Sequence, residues 1–271
     1  PWHIPFDLIL CHTSCDRLTT AKKIQSMYNI PIIRHTHVLP DVRYNTDNQI
    51  YSFNSIDVEH NSFISNYNRS AWSCVGENTS FIEHGIDCDF WANGLNDKEK
   101  RDNVCISVVN QWPDRDWCCG WELWKETVGF SEQTMQSSLP VRVLGDSPGL
   151  SEPAPTIEVL RDSYRASSIF LNTSLHSPVP TVLMEAMASG CAIVSTNNCM
   201  IPEIITHGEN GLLADTADEL RASCEYLLNN PDEARKLGQN AQDTIQEKYN
   251  LERFVYNWNE LFFGTIDNYR K

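Results

Sequence analysis

Short apolar runs of strand length alternate with helix-like segments along almost the whole chain, and this alternation constrains the fold more than any other feature. The runs FDLILCH, NVCISVV and CAIVST are mostly apolar without a two-residue alternation, which is typical of strands buried on both faces. Strands that alternate with helices predict parallel sheets with helices on both faces. The sequence therefore predicts an α/β fold built from doubly wound, Rossmann-like units.

One long polar stretch, ANGLNDKEKRDN at 92–103, divides these elements into two groups. We predict a domain boundary there, with a first domain at 1–95 and a second domain at 96–250. The chain closes with a predicted helix at 251–271, whose aromatic residues recur at helical spacing. Residues 39–58 are polar, contain turn residues and show no clear period, so they are predicted to form a loop.

The charge balance argues against two classes of protein. The 271 residues carry a net charge of −15, and the sequence has no basic stripe of the kind that binds nucleic acid or anionic membranes. No run approaches the roughly 18 apolar residues that cross a bilayer, and the first residues lack the pattern of a signal peptide. We expect a cytoplasmic protein without a nucleic acid partner or a strong membrane signal, in which a few local donors hold any anionic ligand.

The ten cysteines do not point to a disulfide framework, because a chain of this length does not need such cross-links. The nearest pattern of metal ligands is Cys11, His12 and Cys15, followed by His35 and His37. Structural zinc is one interpretation of this cluster, and thiols at strand ends are the simpler one. We predict no metal and no cofactor.

Residues 174–211 carry the most chemical information in the sequence. A strand is predicted to end in a loop at 174–179, and Pro180 suits the start of the helix that follows. The free N–H groups expected at 181–183, together with the helix dipole, attract anions. Glu185 lies among apolar residues of that helix, where burial is costly unless a donor bonds to it. A ribose diol offers two such donors, and an arginine or a backbone group within the fold is the alternative.

Several motifs in this part of the chain, read together, resemble those of a known family. EAMASG at 185–190, the apolar strand after it, a Pro-Glu turn and NGLLAD at 210–215 are similar to the donor-binding domain of the family-4 retaining glycosyltransferases, which have the GT-B fold. EHGID at 83–87 resembles the turn that opens their second domain, and VRVLG at 141–145 resembles their central strand. The resemblance implies transfer from a nucleoside-diphosphate sugar to the hydroxyl of a glycan or other acceptor, without a metal.

The resemblance also implies roles for individual residues. Ser177 stands where the family has a glutamate that contacts the donor sugar, and Cys119 stands where a lysine is usual. Arg115 corresponds to the arginine that holds the diphosphate, and His37 to a histidine that faces the donor. The implied catalytic residues are Arg115 and His37, the implied nucleotide-binding residues are Glu185, Thr181, Val182, Gly145 and Asp146, and the implied residues for the donor sugar are Ser177, Pro180 and Glu203.

Three of these residues have simpler alternatives. Arg115 is also compatible with a surface ion pair to Asp114 or Asp116. A bare glutamate at the position of Glu203 is more often an ordinary charge at a helix start than a ligand contact. A histidine such as His37 is as often a core or solvated side chain as a functional one, and His12 is a weaker candidate than His37.

The resemblance further implies that the chain begins near the fourth strand of the family, which gives a shortened first domain. We expect the last helix to pack back on that domain. A shortened sheet has an uncovered edge, which a second copy of the chain in a homodimer is one way to cover.

Three other functions stay open at this level. A sugar-nucleotide epimerase shares the GT-B fold and needs no acceptor. A GT-B enzyme that glucosylates the bases of duplex DNA is disfavoured by the net charge. With Ser177, Cys119 and the shortened first domain, a nucleotide-sugar-binding module or a partner-dependent subunit is the non-enzymatic alternative.

Overall fold

The computed structural model describes residues 6–12, 15–74, 76, 78–92 and 101–271, without the side chains of 15 and 16. The chain forms two compact units. The first unit comprises Pro1–Gly85 and Glu252–Lys271, and the second comprises Ile86–Leu251. The predicted boundary between 95 and 96 lies outside the described residues. The division between the two units falls between Gly85 and Ile86.

Strands and helices follow one another in nearly the predicted order. The strands are β1 (Ile9–His12), β2 (Ile32–Thr36), β3 (His60–Phe63), β4 (Thr79–Phe81), β5 (Asp102–Val108), β6 (Val141–Leu144), β7 (Ser167–Asn172), β8 (Ala192–Thr196) and β9 (Leu212–Ala214). The helices are α1 (Cys15–Tyr28), α2 (Thr46–Asn54), α3 (Asn66–Ala71), α4 (Cys88–Ala92), α5 (Asp116–Cys119), α6 (Trp121–Val128), α7 (Ile157–Ala166), α8 (Thr181–Ala188), α9 (Ile201–Ile204), α10 (Ala217–Asn229), α11 (Pro231–Lys248) and α12 (Leu251–Tyr269), with a 3₁₀ turn at Pro113–Arg115.

The first unit contains a parallel sheet whose strands lie in the order β1-β2-β3-β4. All five residues of β2 are buried, as expected for a strand covered on both faces.

The predicted loop at 39–58 is wrong, because α2 lies within it. Asn45 caps α2 by accepting a hydrogen bond from the amide of Asn48, and Phe53 is the buried residue that anchors it, 4.6 Å from the ring of Trp72. A helix is recognised in a sequence by apolar residues that recur every three to four positions, and a single buried residue gives no such pattern.

The second unit contains a five-stranded sheet in the order β6-β5-β7-β8-β9, with every pair parallel. This arrangement confirms the predicted α/β fold of Rossmann-like, parallel-sheet units. The chain leaves β5 toward β6 on one side and returns to β7 on the other, so the strand order reverses at β5. In open parallel sheets, ligands bind beside the carboxyl ends of the strands at such a reversal.

The core of the second unit fixes the carboxyl ends of its strands. Trp112, Trp121 and Trp124 are buried and pack against one another with ring centroids 4.9–5.6 Å apart. These three rings follow β5, so the segment after β5 is anchored in the core.

In the described part of the chain, no helix is both long and apolar enough to cross a bilayer.

Candidate functional site

The loops that follow β5 and β6 are bound closely together. The amide of Asp146 donates to the side chain of Asn110 at 2.8 Å, and the Ser147 hydroxyl donates to the Val109 carbonyl at 3.2 Å. Gly145 has a φ of +127°, and a Cβ there would lie 2.1 Å from the Val109 carbonyl oxygen. Only glycine allows this approach. The predicted residues Gly145 and Asp146 therefore lie at the reversal point, with Asp146 exposed.

The loops that follow β5 and β7 are also joined. Gly120, between α5 and α6, has a φ of +64°, and a Cβ there would lie 2.0 Å from the Thr173 carbonyl oxygen. The Thr173 hydroxyl donates to the Gly120 carbonyl at 3.0 Å, and the Leu175 amide donates to the Cys118 carbonyl at 2.8 Å. These contacts fix the loop before α8 against the turn that carries Arg115.

The loop after β7 is held on its other side by β8. Asn172, the last residue of β7, donates to the Ser195 hydroxyl at 2.8 Å and accepts from the hydroxyl of Ser174 at 2.8 Å. The Thr196 hydroxyl donates to the Ser174 carbonyl at 2.6 Å. The buried polar network therefore positions the chain that leads into α8.

Helix α8 begins at Thr181 without a side-chain cap, and Pro180 precedes it. Among the described residues, nothing accepts a hydrogen bond from the amides of Thr181 and Val182. The sequence predicted three free amides at 181–183, and this is wrong for Leu183, whose N–H donates to the Pro180 carbonyl at 3.0 Å. The reason is a tight first turn, which satisfies one amide by an i to i−3 bond. Two amides at the positive end of the helix dipole remain for an anion.

Glu185 lies one turn into α8 and is half-buried. Its Oε2 accepts a hydrogen bond of 3.3 Å from the hydroxyl of Tyr164, on α7. Within the described residues no cation lies within ion-pair distance of this carboxylate, so the proposed arginine partner is wrong and the observed partner is neutral. Burial raises the pKa of Glu185, and the hydrogen bond from Tyr164 acts in the opposite direction.

Arg115 ends the 3₁₀ turn after β5 and is exposed. Its Nη1 donates to the Asn110 carbonyl at 3.4 Å. Across the described part of the chain, no acidic side chain forms an ion pair with it, so the proposed pairs with Asp114 and Asp116 are wrong. Burial raises the pKa of the nearby Cys119 thiol to about 12, which means that this position supplies no charge.

Three further predicted residues, Ser177, Pro180 and Glu203, belong to segments that follow β7 and β8. Ser177 is half-buried, and its hydroxyl has no hydrogen-bond partner among the residues that the structure describes. Pro180 directly precedes α8. Glu203 is exposed on the short helix α9, and its amide donates to the Met200 carbonyl at 2.8 Å.

His37 belongs to the first unit, where it follows β2 directly. Its ring lies 5.3 Å from the ring of His12 and 5.9 Å from that of His35, centroid to centroid. The ring of His35 lies 4.9 Å from the ring of Trp258 on α12. His37 is therefore part of a histidine cluster, which we define as His12, His35, His37 and His84, at the carboxyl ends of strands of the first sheet.

Three rings of the histidine cluster, those of His35, His37 and His84, favour the neutral form. Burial and the neighbouring histidines lower the pKa of His35 to about 3. Burial is also the main cause of the lowered pKa values of His37 and His84. Over the residues described, no group of three or more histidine, cysteine or acidic side chains is arranged to hold a metal ion.

Part of the chain matches a known protein family. Residues 157–244 match the family "Glycosyl transferases group 1". The chain is 28% identical over 102 residues to N-acetyl-alpha-D-glucosaminyl L-malate synthase of Bacillus anthracis, and 29% identical over 128 residues to alpha-maltose-1-phosphate synthase of Mycolicibacterium smegmatis. These matches cover 37% and 44% of this chain, but only 27% and 31% of the length of those relatives.

Solved structures share the fold over nearly the whole chain. Anabaena HepE in complex with UDP superimposes with a TM-score of 0.80 at 16% identity, covering 96% of this chain and 79% of HepE. Sucrose-phosphate synthase of Thermosynechococcus elongatus gives a TM-score of 0.75 at 17% identity, covering 97% and 74%. The likeness to these solved structures shows a shared fold, in which the parallel-sheet, Rossmann-like units match those of GT-B glycosyltransferase structures.

Two features of the site escaped sequence reasoning. Tyr164 is fully buried and lies 21 positions from Glu185, so no local pattern links them. The polar network around Asn172 joins β7 to β8 and depends on which strands are neighbours. In the sequence, Tyr164 is an aromatic residue in a helix that precedes a buried strand. Such a residue is ordinarily interpreted as part of the core.

Proposed function

We propose that this chain is a retaining glycosyltransferase of the family-4 type, which moves a sugar from a nucleoside-diphosphate sugar to an acceptor hydroxyl. The observation that carries the proposal is Glu185, a half-buried carboxylate with a neutral partner, one turn behind two amides without acceptors. The segment that holds these groups lies inside the matched family region at 157–244. A carboxylate accepts from a ribose diol, while the amides and the helix dipole favour the diphosphate.

The proposed reaction needs charge stabilisation at the leaving diphosphate. As the bond between sugar and phosphate breaks, negative charge develops on the leaving group, next to the amides of Thr181 and Val182. Arg115 supplies an exposed guanidinium on the neighbouring loop, whereas the two amides are preorganised donors of a kind worth about 100-fold or more each. The acceptor hydroxyl attacks the same face of the sugar, and the leaving phosphate takes its proton. His37, in the first unit, stays a predicted catalytic residue.

The remaining roles are also part of the proposal. Gly145 and Asp146 frame the base, mainly through backbone groups, while Ser177, Pro180 and Glu203 contact the donor sugar. HepE has been solved with UDP and with UDP-glucose, which supports a nucleoside-diphosphate sugar as the donor class. No metal ion is required in this scheme, because the helix start and Arg115 take the part of a cation.

An activity assay tests the proposal. The protein is incubated with UDP-, GDP- and ADP-glucose, each with and without a glycan acceptor mixture, and products are identified by NMR. We expect release of nucleoside diphosphate that depends on the acceptor, a product with the anomeric configuration of the donor, and unchanged rates in EDTA. An inverted product contradicts the retaining assignment, and loss of activity in EDTA contradicts metal independence.

The same assay separates the alternatives. An epimerase converts the nucleotide sugar without any acceptor. A nucleotide-sugar-binding module, which the residues Ser177 and Cys119 favour, binds the nucleotide sugars but releases no nucleoside diphosphate. Binding is measured independently by thermal shift, because a ligand at 100 times its dissociation constant stabilises the folded state by about 2.7 kcal/mol.

A further inference from the structure

The hydroxyl of Tyr164 is held in place by the packing of its ring. Tyr164 is fully buried near the end of α7, with the rings of Trp91 and Phe170 at 5.8 and 5.9 Å, both edge-on. Its backbone carbonyl accepts a hydrogen bond from Arg101 at 3.2 Å and one from the thiol of Cys191 at 3.1 Å. Ring and backbone are therefore fixed before any ligand arrives.

This fixed hydroxyl bonds to only part of the Glu185 carboxylate. The hydroxyl donates its single proton to Oε2 at 3.3 Å. An ionised carboxylate has two oxygens with about four acceptor sites in total, so Oε1 and the remaining sites of Oε2 can accept from a diol. Since α7 and α8 are separate helices, the contact fixes the orientation of Glu185 from outside its own helix.

We propose that Tyr164 is a positioning residue for the nucleotide ribose: it holds the Glu185 carboxylate oriented so that both ribose hydroxyls can donate to it. This inference rests on the proposed function, since it assumes that Glu185 binds ribose. Tyr164 itself does not contact the nucleotide in this scheme.

The protonation states agree with this role. Burial, and then the charge of Glu185, raise the pKa of Tyr164 well above its usual value, so its hydroxyl remains a donor at any pH of interest. Burial raises the pKa of Glu185, and the bond from Tyr164 lowers it. Removing the hydroxyl therefore moves the pKa of Glu185 further upward, and ribose binding should then fail at a higher pH than in the wild type.

The test compares Tyr164→Phe, Glu185→Gln and the double variant in the full chain. Phenylalanine retains the ring contacts with Trp91 and Phe170, and melting without ligand checks that each variant folds. Tyr226→Phe, at an exposed position of α10, is the matched control. Calorimetric titrations use UDP, GDP and ADP, and the 2′,3′-dideoxy form of each, at pH values from 5.5 to 8.5.

We expect Tyr164→Phe to weaken binding of the preferred ribonucleoside diphosphate about five- to tenfold at neutral pH, within the range for the net contribution of a typical hydrogen bond. Binding of the dideoxy form should change less than twofold. The loss of ribonucleotide affinity that occurs as the pH falls should begin at a higher pH in Tyr164→Phe than in the wild type. The double variant should bind no more weakly than Glu185→Gln alone, because the two residues act as one unit.

Two results separate failure of this inference from failure of the proposed function. If the two substitutions weaken binding additively, or if the dideoxy form loses as much as the ribose form, Tyr164 has only a structural role and the inference is wrong. If the wild type binds no nucleoside diphosphate, or binds ribose and dideoxy forms equally, the proposed ribose contact of Glu185 is wrong, and the inference is overturned with it.

Discussion

The carboxyl ends of the two parallel sheets differ in how they are built. In the second unit, the loops after β5, β6 and β7 bond to one another through backbone groups and small polar side chains, and Gly120 and Gly145 allow contacts that no other residue permits. In the first unit, the corresponding edge carries the histidine cluster. One edge is joined by close backbone contacts, whereas the other carries several imidazole rings.

The proposed site must hold an anion in a chain with a net charge of −15. In that proposal no general positive field is needed, because two amides at a helix start and one guanidinium act at short range. The Glu185 carboxylate accepts its hydrogen bond from the neutral hydroxyl of Tyr164. The following predictions test this contrast, beginning with the largest expected effect.

Gly120→Ala tests whether the edge of the second unit depends on backbone contact. The new Cβ would overlap the Thr173 carbonyl oxygen and the backbone would be held at positive φ, so we expect a loss of about 3 kcal/mol or more in stability. Gly208→Ala is the control, because Gly208 also has a positive φ of +81° but no atom within 4 Å of the added Cβ. Thermal melting measures both variants, and equal losses would contradict the close-contact argument.

Glu185→Gln tests the carboxylate of the second unit. The amide can accept only through one oxygen, so we expect nucleoside diphosphate binding to weaken by about 2 kcal/mol, roughly 30-fold. Glu247→Gln, at an exposed position of α11, should leave binding unchanged. Titration calorimetry with UDP, GDP and ADP measures the effect, and an affinity unaltered by Glu185→Gln would refute the site.

Arg115→Gln tests the guanidinium on the loop after β5. Because its charge acts mainly on the leaving diphosphate, kcat should fall about tenfold or more, while binding of the bare nucleoside should not change. Arg235→Gln, on the outer part of α11 where the arginine pairs with Asp232 at 2.7 Å, is the control. If Arg115→Gln alters only stability, the predicted role in catalysis is wrong.

His35→Gln tests the titrating edge of the first unit. Folding lowers the pKa of His35 to about 3, so the unfolded chain binds the proton first and stability is lost as pH falls below about 6.5. Between pH 7.5 and 5.5 this histidine alone should account for a loss of about 1.4 kcal/mol. The variant should lack that part of the loss.

Hydrogen exchange of β2 amides, corrected for the intrinsic rate at each pH, measures the His35→Gln prediction. His207→Gln, at an exposed position of the second unit, should retain the pH dependence of the wild type. A pH dependence that is identical in His35→Gln and the wild type would contradict the assignment of this loss to the lowered pKa of His35.

The sequence predicted most of the second unit and less of the first. Helix α8 was predicted from Pro180 at its start and an apolar run behind it, and both cues act within a few residues. The helix α2 was missed because a side-chain cap at Asn45 and one buried ring, Phe53, stabilise it. The third free amide was predicted wrongly because the bond from Leu183 to Pro180 depends on the exact turn geometry.

What the sequence determined by itself is the class of fold and the position of the key carboxylate, because the alternation of strands and helices and the placement of Glu185 on an apolar helix are local patterns. Only the tertiary structure decided which residues these side chains and backbone groups contact. Tyr164 reaches Glu185 from another helix, and Gly120 contacts Thr173 across 53 positions of the chain. Such contacts arise from the order in which strands pair, and strand order follows from the packing of the whole unit rather than from any single segment.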